Sequence, residues 1–304
     1  METIVIKAPL GAEIRCGDIR KLSYFDLGLL ENIFLENLVV LIRNQDLNDH
    51  EIIDFGKKFG ELQLSNPLPS PLVKEGKVKE RIKNINTPEV TFVSNVIENG
   101  VALGGFGDSE LVWHSDMSSF TTPPNQTILH SIEVPKEGGD TGFNNMYLAY
   151  DILPSSIKNQ IDGLMLKHDA TIDAAGYLRK QFIDASDDLR SSPGAIHPLV
   201  RTHPNTKKNC LFLGRRIKSY IVGMEVNESE ELLDTLWSYA TKPELEWFHQ
   251  WKPGDLLMWD NRCVMHKRNA FNPLSRRLMH RVVVKGTQPY RIKEQITSHK
   301  RAYL

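Results

Sequence analysis

The stretch Leu111–Val112–Trp113–His114–Ser115–Asp116 puts an imidazole and a carboxylate two residues apart at the end of an apolar, aromatic run. Such a run favours a strand, and in a strand residues i and i+2 point to one face. His114 and Asp116 therefore aim at one point, and a metal ion is the simplest occupant. Two protein ligands hold a metal weakly, so a third is expected from elsewhere in the chain. The best candidate is His266, in Trp259–Asp260–Asn261–Arg262–Cys263–Val264–Met265–His266. Two histidines and a carboxylate form the facial set of non-haem Fe(II) oxygenases, which leaves coordination positions open. Alone, an H-x-D triplet is a weak sign: His114 would be an ordinary core histidine and Asp116 a cap or turn residue. Its weight comes from the residues around it.

The chain has 304 residues, 40% hydrophobic and 25% charged, as in an ordinary globular protein. A single domain spanning 1–304 is expected. The formal net charge is −1, so no global field favours nucleic acid or an anionic membrane. Cys16, Cys210 and Cys263 are odd in number and far apart, which fits free thiols in a reducing compartment. No leader-like start and no long apolar run is visible, and the expected location is cytoplasmic.

Outward from the H-x-D stretch the pattern is mostly β. Thr3 to Ala8, Val39 to Ile42, Val90 to Val96, Thr127 to Val134, Leu256 to Trp259 and Arg281 to Lys285 read as strands. Shorter ones are expected at Ile196–Val200 and Cys210–Leu213. Ser23-x-x-Asp26 resembles a capping box that opens one helix, and Asn48-x-x-Glu51 begins a second. Further helices are expected from about Ala149, at Ser155–Leu164, over Ala174–Ala185 and at Ser229–Tyr239. Residues 62–89, rich in Pro, Ser, Asn and Lys, and the glycine-rich 99–110 read as lid or substrate loops. The expected fold is mainly β with helices (α+β): a double-stranded β-helix, the jelly-roll core of cupins, under helical cover.

Five ordered motifs then coincide: Trp113–His114–Ser115–Asp116, Glu137–Gly138–Gly139–Asp140–Thr141, Trp251-x-Pro-Gly-Asp255, Trp259–Asp260–Asn261–Arg262 and Arg276–Arg277–Leu278–Met279–His280–Arg281. Together they resemble the TauD/TfdA family of Fe(II)/2-oxoglutarate-dependent dioxygenases, over roughly residues 20 to 290. The resemblance implies Fe(II) on His114, Asp116 and His266, 2-oxoglutarate as cosubstrate and O2 as oxidant, with succinate and CO2 as coproducts. It implies that Arg277, eleven residues after His266, grips the distal carboxylate of 2-oxoglutarate, shared with the Thr141 hydroxyl. A guanidinium suits that task because it binds a carboxylate through two hydrogen bonds. It also implies that Arg281 meets an anionic group of the prime substrate, a small carboxylate or sulfonate. Trp113, Trp259, Asp260 and Asn261 are expected to build the site, the last two by orienting a ligand.

Two departures bear on the substrate. Glu110 stands where taurine dioxygenase has an asparagine, and Phe59–Gly60–Glu61 is not followed by that enzyme's substrate-contacting histidine. Glu110 is thus either a substrate contact or the acid that neutralises Arg281. The presence of Asp116 favours hydroxylation, or desaturation sharing its first step, over halogenation. Two other classes stay open: a jelly-roll metal-binding protein without oxygenase activity, and a non-catalytic binding module. Homo-oligomerisation is left open.

Overall fold

A computed structural model describes residues 2–6, 9–65, 80–81 and 86–292. Twelve strands build two facing sheets. In chain order they are β1 (Glu2–Val5), β2 (Ala12–Arg15), β3 (Val39–Ile42), β4 (Thr91–Ser94), β5 (Gly105–Phe106), β6 (Leu111–His114), β7 (Gln126–Glu133), β8 (Thr141–Asn145), β9 (Glu246–His249), β10 (Leu256–Asp260), β11 (Val264–Arg268) and β12 (Leu278–Val284). The large sheet runs β1-β2-β3-β10-β7-β12-β4-β5, and the small one β9-β8-β11-β6. Most neighbours in the order come from distant parts of the chain, and all pair antiparallel apart from β2–β3 and β4–β5. This is a jelly roll, the architecture of the structural relatives described below.

The large sheet is covered on both faces, which explains why Val39–Val40–Leu41–Ile42 reads as unbroken apolar sequence. Period two divides its residues. Val39, Leu41, Val93, Leu129, Leu257, Trp259 and Met279 face the small sheet and join Phe143, Val264 and Met265 in one core cluster. Val40, Ile42, Ile128, Leu256, Met258, Val282 and Val284 face outward, under two helices. These are α1 (Tyr24–Asn37) and α2 (Asp49–Lys57); the expected capping box of Ser23 with Asp26 is formed, and Asn48 with Glu51 forms a second. Leu30, Ile33 and Phe34 of α1 and Ile52, Ile53 and Phe55 of α2 are buried against the sheet. Shorter helices α3 (Met146–Asp151) and α4 (Ser155–Ile161) and the longer α5 (Val226–Ala240) cover the other side of the molecule.

One expected helix is absent. Over 174–185 only a single 3-10 turn forms, at Lys180–Phe182. Asp173 accepts from the N–H groups of Ala175 and Tyr177, Gly176 has φ +83°, and Ile172 bridges to Leu178. Local side-chain bonds of this kind compete with a helix and here replace it with a tight turn. Strands β9 and β11 and the strand Met165–Asp169 were not singled out in the sequence. The expected loop 99–110 includes β5, while 66–79 and 82–85 of the expected lid lie outside the described residues. Among the described residues no helix is long and apolar enough to cross a membrane.

Candidate active site

Strands β11 and β6 pair at one edge of the small sheet, with His114 directly opposite His266. Their ring centroids are 4.2 Å apart. Asp116 follows β6 immediately, and its Oδ1 is 3.7 Å from Nε2 of each histidine. That is too far for a hydrogen bond. It is slightly wider than the roughly 3–3.4 Å expected of ligand atoms about 2 Å from a common centre. All three side chains are buried, and their donor atoms lie within 4.8 Å of one another.

Protonation states suit a metal. The His114 Nδ1–H donates to the Val112 carbonyl at 2.7 Å, which leaves the Nε2 lone pair facing Asp116. Burial lowers the pKa of His114 and brings that of His266 down to about 3. Burial alone would raise Asp116, but His266, Arg281, His114 and the Thr127 hydroxyl outweigh it and bring it to about 2. At neutral pH the set is two neutral imidazoles and one carboxylate, the forms that ligate. His266 Nδ1 has no hydrogen-bond partner.

Asp116 is held by a chain of hydrogen bonds from the large sheet. Its Oδ2 accepts from the Thr127 hydroxyl (2.8 Å), whose oxygen accepts from Asn261 Nδ2 (2.8 Å). Asn261 Oδ1 in turn accepts from the indole N–H of Trp259 (2.9 Å). The expected role of Asn261 is therefore seen, though through Thr127. Asp260 does not reach the site: it pairs with Arg262 and His203. Trp113 does not line it either. Its ring contacts Phe248 and Lys267 on the outer face of the small sheet.

A cavity of about 480 Å³ opens beside the three residues, lined in part by Phe106, Thr141, Trp259, Arg268, Arg277 and Arg281. Arg277 is 2% exposed, and its Nε has no partner. Burial, and then Arg268, pushes its pKa well below the ordinary arginine value, so an anion there would be strongly favoured. Gly138 brings the chain close to this corner. It has φ +76°, and a Cβ would lie 2.8 Å from the Ala270 carbonyl, so a side chain there would clash and strain the turn. The Thr141 oxygen accepts from the Trp251 indole N–H at 2.9 Å, leaving its own hydrogen free to donate. Arg268, two residues after His266 on the same strand face, donates to the carbonyls of Phe106 and Ser109 and fixes the 99–110 loop.

Arg281 lines the same cavity as Arg277. Its ion pair is with Asp116, Nη1 at 3.8 Å from Oδ1, and among the described residues its buried Nε has no partner. Glu110 is not brought to Arg281. Its side chain is 59% exposed, 4.0 Å from Lys267, and it does not line the cavity. The expected site residues His114, Asp116, His266, Thr141, Arg277 and Arg281 thus converge and Glu110 does not. Thr127, Arg268 and Trp251 were missed as contributors. Only Arg268 carried a readable signal, its i+2 spacing from His266.

The surroundings in other proteins are informative. A family model described as taurine catabolism dioxygenase TauD, TfdA family matches residues 5–283. The alpha-ketoglutarate-dependent 2,4-dichlorophenoxyacetate dioxygenase of Burkholderia sp. (strain RASC) is 34% identical over 274 residues, 84% of each chain. Pentalenolactone F synthase of Streptomyces arenae is 29% identical over 290 residues, 91% of this chain and 92% of that protein. Among solved structures, AAD-2 in complex with Mn(II) and N-oxalylglycine superposes with a TM-score of 0.72 at 26% identity, over 95% of this chain and 99% of that one.

Proposed function

Because the chain belongs to the TauD, TfdA family of dioxygenases, we propose that His114, Asp116 and His266 bind its iron and that Arg277 and Thr141 bind its cosubstrate. The protein is a 2-oxoglutarate-dependent non-haem Fe(II) dioxygenase that oxidises a small molecule, with 2-oxoglutarate and O2 consumed. The relatives act on different substrates, so family membership leaves the prime substrate open.

The observation that carries the assignment is one of unmet valence. Three buried donors face one point without hydrogen-bonding to one another, and a buried guanidinium whose Nε is unpaired among the described residues lines the same cavity. The donor set, two neutral nitrogens and one carboxylate oxygen, fits a divalent iron with positions to spare. When bound, Fe(II) with 2-oxoglutarate and O2 supplies the oxidation, leaving succinate and CO2.

The chain's own residues do the rest. Thr127, fixed by Asn261 and Trp259, holds Asp116 so that Oδ1 faces the histidines. Val112 fixes the His114 tautomer. Arg277 and Thr141 receive the distal carboxylate of 2-oxoglutarate at the buried end of the cavity. Phe106, Trp259 and Val93 wall it with apolar surface and keep water sparse. Arg281, at the open side, receives an anionic group of the prime substrate, a carboxylate or sulfonate. The reaction is hydroxylation of a C–H bond.

Anaerobic addition of Fe(II) and 2-oxoglutarate is expected to give a visible charge-transfer band. A protein that binds both without the band, or a His266→Ala variant that keeps it, would overturn the ligand assignment. Arg281→Ala is expected to weaken substrate binding while uncoupled 2-oxoglutarate decay continues. A substrate without any anionic group, turned over equally by that variant and the wild type, would remove Arg281 from its role.

A further inference from the structure

Arg281 borders a second cavity, of about 570 Å³, whose walls include Leu64, Thr91, Met117, Phe120 and Arg179. Arg179 lies in the irregular segment that replaced the expected helix, and its Nε is buried without a hydrogen-bond partner. Among the described residues it makes no ion pair. The neighbouring acids Asp173 and Asp169 favour its charge, but among the described residues neither pairs with it directly. Asp169 accepts from the N–H groups of Thr171 and Ile172, and Asp173 from those of Ala175 and Tyr177. Glu89, the acid in the cavity wall, lies 3.9 Å from Lys57.

The segment is well anchored. The Arg215 guanidinium donates to the carbonyls of Ile172 and Asp169, and the Arg179 N–H donates to Thr171. The Val112 N–H donates to Ala174, tying the segment to the strand of His114. Arg179 is therefore a positioned cation; Asp173 and Asp169 favour its charge, but burial outweighs them, and a buried donor left unpaired is costly.

We propose that the prime substrate carries two anionic groups joined by an apolar body, one group received by Arg281 and the other by Arg179 in the adjoining cavity. Met117 and Phe120 pack against the body. This rests on the reading that Arg281 serves the substrate. Arg179 sets specificity; it does not touch the reacting atoms.

Two matched pairs test it: phenoxyacetate against 4-carboxyphenoxyacetate, and octanoate against suberate. Each is titrated into anaerobic protein loaded with Fe(II) and 2-oxoglutarate, and affinity is read from the change in the charge-transfer band, without turnover. At least one dianion is expected to bind tenfold or more tighter than its monoanion. In Arg179→Ala, and in Arg179→Gln, which keeps part of the stem, that preference is expected to vanish, with the monoanion's affinity and the band itself unchanged. A wild type that shows no dianion preference in either pair, including one that binds none of the four, overturns the inference and leaves the iron site standing. So does a preference that survives in both variants. A band that never forms overturns the site assignment, and the inference with it.

Discussion

Among the described residues, two buried groupings of histidine, acid and neighbouring donors look alike on composition. His114, Asp116 and His266 form one; His203, Asp260 and Cys263 form the other, each with its donor atoms within 4.8 Å. Their hydrogen bonds differ. Asp260 accepts from Arg262 at 2.6 Å and pairs with His203 Nε2 at 3.0 Å, while His203 Nδ1 accepts from the N–H groups of Asn205 and Thr206. Burial pushes the Cys263 thiol well above its ordinary value, away from the thiolate that would ligate. In the second group the lone pairs are used within the protein and the carboxylate has its cation. In the first, two Nε2 atoms and one carboxylate oxygen face each other without bonding. Proximity alone marks neither group as a site; what distinguishes them is the valence left over.

Substitutions can break or sharpen that contrast. The largest effect is expected at His266→Ala: loss of iron and of 2-oxoglutarate turnover, with melting temperature little changed, as metal analysis and thermal denaturation would show. The mirror experiment is Arg262→Ala, which strands the Asp260 carboxylate in the interior. It is expected to cost about 3–5 kcal/mol of stability while surviving folded protein still takes up iron. If it lost iron at unchanged stability, the contrast would collapse.

Acid should separate the groups further. Burial alone raises the Asp260 pKa, but Arg262 and His203 outweigh it and hold the carboxyl well below the usual carboxylate range. Its contribution is therefore present above the unfolded value of about 3.9 and fades as pH falls through the folded value. Asp260→Asn is expected to be less stable at pH 7 and to show a smaller further loss on acidification. Denaturation curves across that range measure both.

Arg277→Ala is expected to weaken 2-oxoglutarate binding by about 2–5 kcal/mol, tens-fold or more; calorimetric titration reads it, and an unchanged affinity would take Arg277 out of the site. Thr127→Val keeps the shape but removes the hydroxyl that orients Asp116. A 10–100-fold loss in iron affinity is the scale expected of such a supporting contact. Smallest of all, Glu110→Gln should leave stability within about 0.5 kcal/mol and turnover unaltered, since the side chain is solvated beside Lys267.

How much of this was legible in the sequence depended on how local the cause was. The Ser23–Asp26 capping box and the helix start at Asn48 could be read because the groups that bond are three residues apart. The His114–Asp116 pair could be read because a strand has a strict period of two. That rule also gives the orientation of Trp113, one residue before an inward His114, and it was not followed through. The helix expected over Ala174–Ala185 failed because Asp173 and Gly176 build a turn that hydrophobic spacing does not register. Thr127 and Arg179 were invisible for a different reason. Each acts on a group brought near only by the fold: Thr127 touches Asp116 from the opposite sheet, and Arg179 shares a cavity with Arg281, a hundred residues away. Family resemblance supplied Arg277 and Thr141, which spacing could not have singled out.

Trp259 has one more consequence. Its indole is 2% exposed, lies 4.8 Å from the His266 ring, and ends the hydrogen-bond chain that reaches Asp116. It is an aromatic emitter placed against the proposed iron position and shielded from solvent. A transition-metal ion arriving between His114 and His266 should dim its light, so occupancy can be followed by fluorescence in a colourless solution, before cosubstrate, oxygen or substrate is added.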